Sequence, residues 1–269
     1  MRSIINNLTT HPCFNRAAGQ WFDSVHLAVA PRCNIKCLYC TKGGNCPHEN
    51  NPGTTSRLLT PAQALKAVRN AVKKDRRISV VGIAGPGEPL ANEQTFDVLR
   101  LVAREYPKLL RCVGTNGLLL HENIDRLLEL GVRTVSVTVN AVNPYIAGMF
   151  CRWVAHSGEV YEGLDGASIL VANQLLGIRE AVKRGITVRV NSIVIPGIND
   201  IHLKEVAYTA KSLGASLMNL RPMVPAAEFS RMRPPNSSEL DRAGTSVSPI
   251  IPLAPGCLCC RDHRASAVK

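Results

Sequence analysis

An α/β fold, an open partial (β/α)6 barrel with cysteine-bearing N-terminal and C-terminal extensions, is the architecture this sequence predicts. Three observations carry it. From residue 24 onward, apolar runs of strand length alternate with longer runs of helical period. Gly131, Gly185 and Gly214 follow helical runs, where a left-handed residue closes a helix. The repeating part, 24–221, falls short of the ~250 residues of a closed eight-unit barrel. Alternation of this kind sets parallel strands side by side under a layer of helices.

The first strand is predicted over 25–30. A long, turn-rich loop over 41–59 follows, then a helix over 61–74 with Thr60 as N-cap and Pro61 at its first position. The second strand, 78–84, precedes a helix over 93–105. The third, 110–115, precedes a helix over 122–130, and the fourth, 132–140, a helix over 167–184. The fifth strand spans 186–193 and leads to a helix over 202–213, with Asp200 as its expected cap. The sixth spans 216–221. On the fourth strand Val135, Val137 and Val139 alternate with Ser136, Thr138 and Asn140; on the fifth, Val188 and Val190 alternate with Thr187, Arg189 and Asn191. Two successive strands with one apolar and one polar face predict a helix-covered outer surface and a wet, ligand-bearing lumen. The expected organisation is an N-terminal extension over 1–23, the barrel over 24–221, and a tail over 222–269. That tail is rich in Pro, Ser and Arg and reads as a lid or arm.

Hydrophobic residues make up 45% of the 269, enough for a substantial core and incompatible with general disorder. Lys and Arg number 32 against 20 Asp and Glu, a formal charge of +12 that points to an anionic ligand, nucleic acid or an acidic partner. Lys73, Lys74, Arg76 and Arg77 fall at a helix end, where cations suit the dipole, and read as a solvated face. No apolar run has the length of a signal peptide or a membrane span. The expectation is a cytoplasmic protein with no membrane partner. In that setting ten cysteines are metal ligands or nucleophiles, and a secreted disulfide scaffold is excluded.

The strongest local signal is Cys33-Asn-Ile-Lys-Cys37-Leu-Tyr-Cys40, directly after the first strand. Three thiolates at this spacing can hold three corners of an iron–sulfur cubane and leave the fourth iron open. Zinc sites instead use paired knuckles with a fourth ligand. Asn116, Asn140 and Asn191 fall at the ends of the third, fourth and fifth strands, where a barrel binds its ligand. Cys112 shares a parity with Gly114 and Asn116 and is expected to face the lumen. His26 shares the face of Ala28 and Ala30, and Cys151 reads as packing.

With an aromatic, Tyr39, before its last cysteine, this CxxxCxxC run resembles the signature of radical S-adenosylmethionine (SAM) enzymes, whose fold is a partial (β/α)6 barrel. The resemblance implies a 4Fe–4S cluster on Cys33, Cys37 and Cys40 whose open iron chelates SAM and cleaves it to a 5′-deoxyadenosyl radical. Gly85-Pro86-Gly87-Glu88-Pro89 resembles the GGE-type motif of these enzymes, with proline at its centre. Gly85, Gly87 and Glu88 are thereby implied at the SAM amino group, and Asn116, Asn140 and Asn191 at its ribose and carboxylate. Arg189 is read as a lumen-facing cation at the same site.

A closer resemblance, to the NifB family, rests on His11-Pro12-Cys13-Phe14-Asn15, on 26–40, and on Cys46 with Glu49-Asn50. It extends through VNAVNP (139–144), NQLLGI (173–178) and IVIPGIND (193–200). That family makes the iron–sulfur–carbide precursor of the nitrogenase cofactor. The resemblance implies two additional 4Fe–4S clusters as substrates, fused into an 8Fe core around a carbide derived from SAM. Cys13, His26, Cys46 and Cys112 are implied as their ligands, and Glu49 as a carboxylate ligand or proton acceptor. In the tail, aligning thiols picks Cys257 and Cys260, while aligning the following Arg-Ala run picks Cys260 and His263. A soft thiolate suits a cluster better, which favours Cys257 and Cys260. The implied partners are a cluster donor, cofactor scaffold proteins and an electron donor; an anionic cluster load accounts for the basic excess, so no nucleic-acid partner is expected. The alternative reading is a radical SAM enzyme with auxiliary clusters that acts on an organic or peptide substrate.

Overall fold

Two sheets and a helical layer build the computed structural model, which describes residues 9–15, 17–40 and 58–254. In the larger sheet β1 (Asp23–Leu27), β3 (Ile78–Ile83), β4 (Leu110–Thr115), β5 (Val132–Thr138), β8 (Thr187–Val194) and β9 (Leu217–Pro222) lie in that order. All neighbours are parallel, and the sheet curls into a half-barrel. A smaller antiparallel sheet joins β2 (Ile35–Cys37), β6 (Cys151–His156) and β7 (Glu159–Glu162). The helices are α1 (Ala18–Trp21), α2 (Pro61–Lys74), α3 (Glu93–Glu105), α4 (Leu120–Glu129), α5 (Pro144–Gly148), α6 (Gly163–Lys183), α7 (Leu203–Ser212) and α8 (Ser237–Val247).

The strand faces sort as their alternation predicts. Val135, Val137, Val139, Val188 and Val190 enter one core with Val68, Phe96, Leu99, Leu127, Ile178 and Val206 from the helices. Each large side chain fully withdrawn from water there contributes roughly 1.5–3 kcal/mol. Thr60 caps α2 through a reciprocal box with Gln63, satisfying donors that a helix start leaves open. Gly131, Gly185 and Gly214 take φ of 73°, 79° and 87° after their helices, and Lys73 and Lys74 occupy the last turn of α2.

Several boundaries differ from expectation for local reasons. β1 ends at Leu27 because Val29 and Ala30 turn their N–H groups onto the Gly85 carbonyl, at 3.1 and 3.3 Å. β5 stops at Thr138: beyond it the Asn140 side chain, through Oδ1, accepts from Ile193 N–H at 2.9 Å. Asp200 caps no helix. Its carboxylate accepts from Gly197 N–H at 3.0 Å and closes the Pro-Gly turn instead, while α7 begins after His202 with no side-chain cap. The stretch read as an arm contains α8, started by an Asn236–Glu239 capping box. Ala243, Val247 and Ile251 join the main core, so α8 supplies the helix that follows the sixth barrel strand. Few apolar positions among polar neighbours hid it from a periodicity reading.

Candidate functional site

The three cysteines of the triplet line one open cleft of about 850 Å³ at the C-terminal ends of the strands. Local folding delivers them there. β2 is tied into the small sheet against β6, with Cys37 opposite Cys151. The Leu38 N–H donates to Phe150 O at 2.9 Å, and its carbonyl accepts from Glu228 N–H at 3.0 Å. Tyr39 is buried, its ring tilted against Phe150 and Phe229, and its hydroxyl accepts from Asn140 Nδ2 at 2.7 Å. The aromatic of the motif is therefore an anchor that fastens the cysteine loop to the end of β5.

The glycine-rich turn braces the same loop from the other side. Gly87 N–H donates to Ala30 O at 2.6 Å and Glu88 N–H to Arg32 O at 2.9 Å. A Cβ on Gly87 would stand 2.6 Å from the Arg32 carbonyl carbon, so only glycine permits this approach. The Glu88 carboxylate is buried. It accepts from the Thr115 hydroxyl at 2.6 Å, Asn116 N–H at 2.7 Å and Leu90 N–H at 3.0 Å. Cys33 is exposed as a residue, yet desolvation of its sulfur, and secondarily the Glu88 carboxylate, push the thiol up to about 12. Desolvation also raises Cys40. Without iron these groups hold their protons at neutral pH, and binding iron releases them.

Below the cleft, Cys112 and Gly82 occupy one register row with His26: His26 pairs with Gly82, and Gly82 with Cys112. Neighbouring strands are ~4.8 Å apart, which sets His26 and Cys112 about 10 Å from each other across Gly82. The imidazole lies over Gly82, where a Cβ would meet His26 Cδ2 at 2.7 Å. Cys13 and Phe14 pack with Leu217 in a small cluster that Cys112 and Ala254 adjoin. Arg189 Nη1 donates to Cys13 O at 3.0 Å, and its guanidinium lies 5.4 Å from the Phe14 ring centroid. Ser79, near the start of β3, donates to Thr10 O at 2.9 Å. Residues 9–15 thus enter from the N-terminal ends of the strands and place Cys13 in the lumen.

Of the residues expected at the site, the cleft gathers Cys33, Cys37, Tyr39, Cys40, Gly87, Glu88, Asn116 and Asn140. Gly85 stands behind it as the acceptor for Val29 and Ala30. Asn191 and Arg189 are not in the cleft wall; Asn191 pairs with Asn219 deeper along β8 and β9. Cys46, Glu49, Cys257, Cys260 and His263 lie outside the described residues. Sequence reasoning missed Gln174, whose Nε2 donates to Asn116 O at 2.7 Å and Thr138 O at 2.9 Å, clamping the ends of β4 and β5. It also missed Asn199, whose Nδ2 donates to Asn140 O at 2.9 Å and Ile193 O at 2.8 Å. The NQLLGI and IVIPGIND motifs contain these two amides, and that is the signal available to find them. Cys151, read as packing, is buried and also lines the cleft.

Three thiols on one wall, with room beside them for a cosubstrate, fit a cubane cluster that leaves one iron open. Among the described residues, no three His, Cys, Asp or Glu side chains close around a single ion. No helix among the described residues is long and apolar enough to cross a membrane.

Residues 27–209 match the model of the Radical SAM superfamily. The chain is 41% identical to the "FeMo cofactor biosynthesis protein NifB" of Chlorobaculum tepidum, over 95% of its own length and 61% of the relative's. It is 38% identical to the protein of that name in Klebsiella pneumoniae, over 96% of its own length and 57% of the relative's. In Methanocaldococcus jannaschii the identity is 36%, over 96% of the chain and 86% of the relative. It thus spans about three fifths of the two bacterial relatives and most of the archaeal one. Among solved structures, Streptococcus suis SuiB superposes with a TM-score of 0.61 at 14% identity, over 96% of this chain and 54% of that one. Methylornithine synthase (PylB) superposes with 0.58 at 13%, over 87% and 64%. At such identities these likenesses speak for the fold alone.

Proposed function

On the premise that this chain belongs to the radical SAM superfamily and to the NifB family within it, we propose that it makes the 8Fe precursor of the nitrogenase cofactor. Two 4Fe–4S clusters are the substrates, fused around a carbide that originates in a SAM methyl group. One observation carries the reading. Cysteine and histidine donors from three separate parts of the chain, Cys13, His26 and Cys112, share a lumen beneath the cleft that holds the cysteine triplet. A radical SAM enzyme for an organic substrate can also carry auxiliary clusters, so the lower donors support the proposal together with the NifB relatives and not alone.

When bound, the triplet's cluster supplies the electron for reductive cleavage of SAM. The chain's own residues do the rest. Cys33, Cys37 and Cys40 would ligate that cluster, Tyr39 and Gly87 fix their loop, and Glu88 holds Asn116 at the cleft rim. Asn140 and Gln174 hold the ends of β5 and β4, so the rim keeps its shape as ligands enter. Lower down, the Cys13 and Cys112 thiolates and the His26 imidazole offer soft and borderline donors to iron. Arg189, over the Cys13 carbonyl, supplies positive charge beside an anionic load. Cys46, Glu49, Cys257 and Cys260 belong to the proposed donor set on sequence grounds. The expected partners are a cluster donor, an electron donor and a scaffold that accepts the product.

Iron and sulfide quantitation on anaerobically reconstituted protein tests the proposal. Three clusters give about twelve irons per chain, and the product should activate cofactor-free nitrogenase. About four irons with SAM cleavage intact would overturn the proposal, and about twelve irons with no activation of nitrogenase would favour an auxiliary-cluster enzyme for an organic or peptide substrate.

A further inference from the structure

Cys151 has no part in the chemistry above, yet it stands opposite a triplet thiol. In the antiparallel β2–β6 pair Cys37 is in direct register with Cys151, beside an irregularity that leaves Arg152 without a partner in β2. Opposed residues in such a pair lie about 4.5–5.5 Å apart between Cα atoms, inside the roughly 4.4–6.8 Å span of a disulfide. The two side chains share a face: Cys151 belongs to an apolar cluster with Ile35 and Val154, and Cys37 packs against it. Both line the cleft, and neither is in a disulfide. Cys151 Sγ makes a 3.5 Å bond to Trp153 O and accepts from the backbone N–H of Lys36, on the strand that carries Cys37. Cys40 lies outside this cluster, with its carbonyl held by Lys36 Nζ at 3.4 Å.

We propose that Cys37 and Cys151 form a reversible cross-strand disulfide when the triplet carries no cluster. The inference rests on the reading of Cys37 as a cluster ligand. The oxidant is a low-molecular-weight disulfide. The half-exposed Cys37 attacks one of its sulfurs as thiolate, giving a mixed disulfide and releasing one small thiol. Cys151 then attacks the Cys37 sulfur as thiolate, forming the protein S–S bond and releasing the second small thiol. Two electrons pass from the protein pair to the small disulfide, and the two thiol protons end on the released thiols. The bond withdraws one of three ligands, so no cubane can load, and it shields Cys37 from the irreversible rungs of sulfur oxidation. A reducing thiol reopens the site.

The test treats anaerobic, cluster-free protein with glutathione disulfide, alkylates remaining thiols and maps linkages by peptide mass spectrometry. A Cys37–Cys151 linkage is expected. Subsequent iron uptake from ferrous iron and sulfide should fall by one cluster, about four irons, and recover after dithiothreitol. Cys151→Ser protein given the same treatment should load fully once glutathione is removed from Cys37. A Cys37–Cys40 linkage, or a glutathione adduct that persists on Cys37, overturns the proposal. The map needs no variant, so misfolding of Cys151→Ser leaves the answer intact. Protein that forms the linkage yet loads as much iron as the reduced sample would count against Cys37 as a cluster ligand and against the disulfide as a switch.

Discussion

Glu88 and Thr115 meet in a buried 2.6 Å hydrogen bond that joins the glycine-rich turn after β3 to the last residue of β4. The second carboxylate oxygen takes Asn116 N–H at 2.7 Å. One side chain thereby holds two strand ends and the rim of the cleft, a role the motif's backbone alone does not predict. Glu88→Ala takes the acceptor from the Thr115 hydroxyl and from the Asn116 and Leu90 amides, each loss costing about 1–3 kcal/mol. A drop in Tm of about 2–4 °C per kcal/mol is expected for a chain of this size, and calorimetry on cluster-free protein checks it.

The same carboxylate has an electrostatic consequence. It is one of the causes that raise Cys33 to about 12. Glu88→Gln removes the negative charge while keeping the shape, so the Cys33 pKa falls and more thiolate is present at any given pH. The pH profile of Cys33 alkylation in the cluster-free protein should shift to lower pH. An unchanged profile would place the Glu88 charge out of reach of this sulfur.

Gly87→Ala should empty the triplet without unfolding the barrel. The new methyl meets the Arg32 carbonyl, which is backbone and cannot swing away, and the loop that presents Cys33 must shift. Expected are loss of about four irons and of 5′-deoxyadenosine formation, with an unaltered far-ultraviolet circular dichroism spectrum. Full iron with normal SAM cleavage would mean that the loop accommodates the methyl.

Upper and lower donors should fail differently. Cys33→Ala, Cys37→Ala or Cys40→Ala abolishes SAM cleavage, because two thiolates hold a cubane poorly. Cys13→Ala, Cys112→Ala and His26→Ala leave some uncoupled 5′-deoxyadenosine formation and lose substrate irons. His26→Ala is the mildest of these in iron content, since a neutral imidazole offsets less cluster charge than a thiolate. Iron, SAM cleavage and nitrogenase maturation, assayed on each variant, separate the two classes. Wild-type maturation by His26→Ala protein would return His26 to a structural role.

The tail ligands, outside the described residues, are decided by side-by-side iron counts. If Cys257 and Cys260 are the pair, Cys257→Ala lowers iron and His263→Ala does not. The reverse result selects Cys260 and His263.

The order of the six barrel strands and of the five longer helices among them, the outward and inward faces of β5 and β8, and the Cys33–Cys37–Cys40 spacing that the cleft gathers were legible in the sequence alone. Each is written in residues close together in the chain: a two-residue alternation, a 3.6-residue stripe, a fixed thiol spacing. The parity of Cys112 with Gly114 was legible for the same reason. What only the tertiary structure decided is which distant residues share a register or a strand end. Glu88 reaches Thr115, Gln174 on α6 bridges β4 to β5, and Asn199 holds Asn140, all across dozens of intervening residues. Cys151 became more than packing only when β2 paired with β6 and set it against Cys37. Helix α8 too became visible through the core it completes, since its apolar positions are too few to announce it. Long-range pairing of this kind follows from the closure of the sheet and the packing of its cover, and no local pattern encodes it.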